Sequence, residues 1–104
     1  HCPVVIDEAY VDFAPNHAIG LVHQNPKIIV TRTLSKSYAL AGLRFGYLIA
    51  HPEIVAMLRK VKDSYNTDML SLAGATAAIS DQEWLRDNVS KVRNTRARME
   101  TELQ

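Results

Sequence analysis

Lys27-Ile28-Ile29-Val30-Thr31-Arg32-Thr33-Leu34-Ser35-Lys36-Ser37-Tyr38 is the stretch on which the fold turns. Its first half is a β-branched apolar run without polar alternation, the pattern of a parallel strand buried on both faces. Its second half breaks into hydroxyls around one lysine. Upstream, Val4-Val5-Ile6 repeats the strand pattern and ends in Asp7-Glu8. Downstream, Phe45-Gly46-Tyr47-Leu48-Ile49-Ala50 reads as a third strand, weakened by its glycine. Only a short link, including Ala39-Leu40-Ala41-Gly42, separates the second strand from the third.

The flanks read as punctuation and helix. Pro15, Asn16 and Gly20 mark a loop or broken helix. His51-Pro52-Glu53 opens a helix, because Pro suits the first helical position and Glu the positive end of the dipole. Ile54, Met57, Leu58 and Val61 recur at three and four, which predicts one buried face, and Lys60 and Lys62 sit near the end. Residues 63–68 are polar and turn-rich. Leu70 to Ile79 reads as a helix of small residues (Ala73, Gly74, Ala75, Ala77, Ala78), which predicts close packing inside something larger. Asp81 caps a last helix from about Gln82 to the end. Leu85, Val89, Val92, Met99 and Leu103 form its apolar stripe, and Arg86, Lys91, Arg93, Arg98, Glu100 and Glu102 its other face. Three adjacent strands followed by helices make the fold class α/β.

Composition narrows the function classes. At 104 residues, 47% apolar and 22% charged, the chain is one domain at most, with enough apolar residues for a real core. A net charge of +1 gives no reason to expect nucleic acid or an anionic membrane as partner. The basic residues of the last helix are interleaved with acids and lack an aromatic platform, so they read as a solvated face. The single Cys2 cannot form an internal disulfide, which fits a reducing cytosol. No apolar run approaches the ~20 residues of a membrane span, and no signal peptide is visible. The chain begins at His1 and runs almost at once into a strand that needs neighbours, the expected start of an excerpt from a larger protein or of a processed chain.

The chemistry gathers at Lys36. A lone lysine is ordinarily a solvated loop residue. This one follows a buried-type strand, and ligands in open α/β sheets collect at the carboxyl ends of strands. Thr33 and Ser35 place hydroxyls beside it. Arg44 lies between Gly42 and Gly46, where small neighbours permit close approach of a phosphate to a planar guanidinium. Asp7 ends the first strand, where on its own it reads as a turn cap. Tyr10 reads equally well as a packed strand-end tyrosine. Together, an amine, hydroxyls, a guanidinium and an Asp/Tyr pair are what pyridoxal phosphate chemistry needs. Glu8 and Asp12 carry no spacing argument and read as solvated or capping. The histidines at 1, 17, 23 and 51 lack metal-ligand spacing, so no metal is expected. Gly42-Leu43-Arg44-Phe45-Gly46 is not a nucleotide loop, and no nucleophile elbow or Cys/His pair supports hydrolase chemistry.

Val5-Ile6-Asp7-Glu8-Ala9-Tyr10-Val11-Asp12-Phe13, followed by Thr33-Leu34-Ser35-Lys36-Ser37-Tyr38-Ala39-Leu40-Ala41-Gly42-Leu43-Arg44-Phe45-Gly46-Tyr47, resembles the class I/II pyridoxal-phosphate-dependent aminotransferases. Within that family it is most similar to the histidinol-phosphate aminotransferases. The resemblance implies that Lys36 is the Schiff-base lysine, that Asp7 pairs with the pyridine nitrogen and that Tyr10 contacts the ring oxygen. It implies Thr33, Ser35 and Arg44 as the phosphate cradle. It implies an aspartate aminotransferase-like large domain, with residues 1–80 part of the cofactor-binding domain. Residues 81–104 would be the long helix leading toward a small domain. The three matching strands would be neighbours, the last antiparallel.

The implied reaction is transamination of L-histidinol phosphate with 2-oxoglutarate in histidine biosynthesis. The partners would be a small-molecule amino donor and a 2-oxo acid, in a cytoplasmic enzyme that is a homodimer at full length. Threonine-phosphate decarboxylases and aromatic aminotransferases share these motifs and remain alternatives. So does an inactive fragment that does not bind the cofactor. The family's N-terminal site-closing segment, the glycine-rich turn that completes its phosphate site, its ring-stacking aromatic and its C-terminal substrate arginine have no counterpart here. The expectation is therefore a central part of an aminotransferase that does not turn over substrate alone.

Overall fold

The computed structural model describes residues 2–103. Three strands, β1 (Val4–Asp7), β2 (Ile28–Thr33) and β3 (Gly46–Ala50), form one sheet in that order. β1 runs parallel to β2, with Val4 opposite Ile28 and Asp7 opposite Thr31. β3 runs antiparallel to β2, with Thr33 opposite Gly46 and Ile29 opposite Ala50. The expected order and directions are thus the observed ones. A single 3-10 turn, Val11–Phe13, and α1 (Ile19–Gln24) fill the crossover that a parallel pair requires. A second 3-10 turn, Ala41–Leu43, precedes β3.

The helices start where local chemistry puts them. Pro52 stands in the first turn of α2 (Pro52–Val61), with Glu53 beside it. α3 (Met69–Ser80) is capped by Asp68, whose Oδ1 accepts the Ser71 N–H at 2.8 Å. Sequence reasoning missed that cap and began the helix at Leu70. Asp81 caps α4 (Gln82–Glu102) as expected, its Oδ1 accepting the Trp84 N–H at 3.0 Å. Among the described residues no helix is long and apolar enough to cross a membrane.

Val30 and Leu34 are fully buried, and Val22, Ala75, Leu85 and Val89 complete the core. The core therefore lies under β2 and the loop that follows it. Burial elsewhere departs from expectation. β1 was expected to be covered on both faces, yet Val5 is 61% exposed. The apolar face of α2 is open, with Val61 80% exposed, and α3 leaves Met69, Leu70 and Leu72 in solvent. Val92, Met99 and Leu103 on the α4 stripe are exposed as well. The chain is too extended to cover these faces itself: its radius of gyration is 16.3 Å, against roughly 13 Å for a compact domain of this size. Apolar periodicity marks which faces must be covered, and the elements that cover them need not be near in sequence.

Close packing of the small-residue helix is seen at one place. A Cβ on Gly74 would stand 2.8 Å from Leu43 Cδ1, and Ser71 Oγ lies 3.2 Å from the Leu43 carbonyl oxygen. Gly46 is tightly placed, because a Cβ there would meet the Arg32 carbonyl oxygen at 3.0 Å. A backbone atom cannot swing aside, and such overpacking costs about 1–3 kcal/mol. Alanine gains only about 0.5–1 kcal/mol over glycine inside a strand. Gly46→Ala is therefore expected to lower the thermal midpoint, and an unchanged or raised midpoint would show that the β2–β3 pair has slack.

Candidate functional site

The strand directions assemble the site. β1 and β2 are parallel, so their carboxyl ends lie at one end of the sheet, and antiparallel β3 brings its amino end there. Asp7, the loop after Thr33 and the turn holding Arg44 consequently share that end.

The lysine loop is pinned by its neighbours. Leu34 is fully buried; its N–H donates to the Phe45 carbonyl at 3.2 Å and its carbonyl accepts the Leu40 N–H at 3.0 Å. Thr33 Oγ1 accepts the Ser35 N–H at 3.1 Å and lies 3.0 Å from Ser35 Oγ and 3.3 Å from the Phe45 carbonyl oxygen. The Ala39 N–H donates back to the Lys36 carbonyl at 3.0 Å. Between these anchors the Lys36 side chain stands out into solvent, its ammonium 5.4 Å from the centre of the Tyr10 ring. That is cation–π range. Lys36 and Tyr10 line one hollow with Phe13, Val92, Arg93 and Arg96. Tyr10 also borders a second hollow with Asp7 and Glu8.

Asp7 and Arg44 reach the same sheet end through turns of their own. Asp7 is exposed, and its Oδ1 accepts the Ala9 N–H at 3.0 Å. It does cap a turn, and a carboxylate has a second oxygen to offer. Arg44 is exposed and left-handed (φ 51°, ψ 37°), with Nη1 donating to the Ala41 carbonyl at 3.2 Å. Ala39, at φ 55°, is left-handed too. Such backbone persists in non-glycine residues only where the surroundings dictate it, so the segment between them is held by its contacts.

Residues given no role by sequence reasoning turn out to build the frame. Glu8 is buried, not solvated. Its Oε2 accepts from Arg32 Nε at 2.9 Å and from Nη2 at 2.7 Å, and its Oε1 accepts the Ala18 N–H. Burial pushes the Glu8 carboxyl up, but the Ala18 N–H and the Arg32 guanidinium outweigh it and hold it below its ordinary 4.5. Burial likewise opposes the Arg32 charge, and Glu8 more than restores it. Asp12 accepts the Ser37 hydroxyl, and Asn88 Nδ2 donates to the Ser37 carbonyl at 2.6 Å. Arg93, expected on the solvated face, donates from Nη2 to the Ala14 carbonyl at 3.2 Å. Register held a signal for one of these pairs: Glu8 and Arg32 lie one step past the Asp7/Thr31 pair. The others carried no local signal.

The chain as a whole has known counterparts. The family model described as aminotransferase class I and II matches residues 1–104. The chain belongs to the class I and II aminotransferases. This aminotransferase chain is 57% identical over 98 residues to the histidinol-phosphate aminotransferase of Rhodopirellula baltica, covering 94% of the chain and 27% of that protein. It is 50% identical over 100 residues to the histidinol-phosphate aminotransferase of Syntrophotalea carbinolica, covering 96% of the chain and 29% of that protein. The crystal structure of histidinol-phosphate aminotransferase from Sinorhizobium meliloti in complex with pyridoxal-5'-phosphate superposes with a TM-score of 0.86 at 35% identity. That match covers 93% of this chain and 27% of the other. The chain thus spans under a third of the length of these relatives. Its α/β fold is that of the same enzymes.

Proposed function

We propose that the chain is the cofactor-anchoring part of a pyridoxal-phosphate-dependent aminotransferase. The reaction is transfer of the amino group between L-histidinol phosphate and 2-oxoglutarate, in histidine biosynthesis. The observation that carries this reading is the Lys36 ammonium held 5.4 Å from the Tyr10 ring centre at the sheet end where Asp7 also lies. Supporting it are relatives of that name at 57% and 50% identity.

The donor set suits the cofactor. Lys36 offers a primary amine for the aldehyde, Asp7 a carboxylate for the pyridine nitrogen and Tyr10 a phenol for the ring oxygen. Thr33, Ser35 and Arg44 offer hydroxyls and a guanidinium for the phosphate. When bound, pyridoxal phosphate supplies that aldehyde and a ring able to accept electrons from the substrate carbon. Lys36 Nζ would take up and return the proton of the substrate's amine-bearing carbon as general base and acid. Asp7 would hold positive charge on the pyridine nitrogen, and Tyr10 would orient the ring through its oxygen. Residues 1–80 belong to the cofactor domain, and residues 81–104 lead toward a small domain. The enzyme works as a cytoplasmic homodimer on a small amino donor and a 2-oxo acid.

The test uses a chimera in which residues 1–104 replace the matching segment of the Rhodopirellula baltica protein. Incubation with pyridoxal phosphate, borohydride reduction and peptide mapping are expected to place the label on Lys36. A label on another lysine, or none, overturns the assignment.

A further inference from the structure

Ser37, the residue after Lys36, is 1% exposed and gripped from two sides. Its hydroxyl donates to Asp12 Oδ2, on the 3-10 turn that directly follows Tyr10. Its carbonyl accepts from Asn88 Nδ2 of α4 at 2.6 Å. α4 is fixed beside the same turn by buried Leu85 and Val89 and by Arg93 Nη2, 3.2 Å from the Ala14 carbonyl. Upstream of the lysine, the Ser35 N–H is tied to Thr33 Oγ1 at 3.1 Å. The Lys36 side chain itself is a flexible stem in solvent. Its amine is therefore placed by how firmly its Cα is held and by the Tyr10 ring it stands over. One short turn supplies both the ring and Asp12, and α4 supplies the opposing grip.

We propose that Asp12 and Asn88 are positioning residues that set Lys36 through Ser37, so that a shift of α4 moves the lysine. The proposal rests on Lys36 being the reactive amine of the function proposed above. Misplacing a reacting group by about 1 Å can cost on the order of a hundredfold in rate. Asn88→Ala in the chimera is expected to lower kcat by about tenfold or more with little change in KM. Asn88→Asp is expected to lower it further, because its carboxylate not only lacks a donor but also repels the Ser37 carbonyl oxygen. Asp12→Ala is expected to behave like Asn88→Ala, while Asp12→Asn recovers most of the loss through its amide oxygen. Amides from 36 to 39 should exchange with solvent about tenfold faster in the two alanine variants, as loss of one ordinary hydrogen bond predicts. The visible circular dichroism of the bound cofactor should change with them.

Wild-type kcat in Asn88→Asp overturns the proposal. So do equal losses in Asp12→Asn and Asp12→Ala, or loop exchange that stays at the wild-type rate. Absence of a Lys36 label in the unmutated chimera is a separate result. It overturns the aminotransferase reading, and the loop exchange then decides the grip on Ser37 by itself.

Discussion

Lys36→Ala in the full-length chimera is expected to reduce kcat by about a hundred- to ten-thousandfold, the usual worth of a positioned proton-transfer group. The same change should barely move the melting temperature. The Lys36 side chain is exposed, and its noted contact is with the Tyr10 ring face, a kind of contact worth about 0.5–1 kcal/mol in solvent. This split between activity and stability separates a reacting amine from a structural one. Lys36→Arg sharpens the test. Arginine keeps the charge and the approximate reach, but its guanidinium does not give up its proton. It should be as inactive as alanine, measured as single-turnover transamination together with borohydride labelling. An arginine variant within tenfold of wild type would remove Lys36 from the proposed role.

Glu8→Ala is expected to have the largest effect on stability, about 3 kcal/mol. Breaking a buried ion pair strands the remaining charge, and here the Arg32 side chain is only 18% exposed. The Ala18 N–H would lose its acceptor as well. Lys91–Asp87 offers a control: its 2.6 Å separation is as short as that of the buried pair, but its side chains are 71% and 60% exposed. Removing it should cost well under about 1 kcal/mol. The Glu8 pair should also depend on pH. Its carboxyl is held below the ordinary 4.5 in the folded chain, so its stabilisation is complete above that value. The stabilisation is lost as pH falls through the lower folded-state value. Wild type and Glu8→Gln should therefore converge in thermal midpoint as the solution is taken from pH 7 to below 4.5. A constant gap between them would show that the carboxylate's charge plays no part.

What could be read from the chain alone was local. Val30 between Ile28 and Thr31 marks a covered strand, Pro52 and Asp81 mark helix starts, and the hydroxyls around Lys36 mark a candidate site loop. Each depends on a few neighbouring residues and on backbone preferences that act over one or two turns. The motif pair spanning Val5 to Phe13 and Thr33 to Tyr47 carried the fold class and the candidate site residues with it. Burial was less legible. The apolar faces of β1 and α2 were readable as faces, but their exposure in this chain follows from which elements are present to cover them.

The frame around the lysine was decided only in three dimensions. Glu8 and Asp12 look like ordinary surface acids beside Asp7, and Asn88 and Arg93 look like solvated helix residues. Their partners lie 24, 25, 51 and 79 residues away. Hydrogen bonds across such separations exist only once the parallel strands have aligned and α4 has packed against the turn after Tyr10. Composition and local pattern determined that Lys36 is the candidate reactive residue. The tertiary structure decided what holds it there, because that depends on long-range packing.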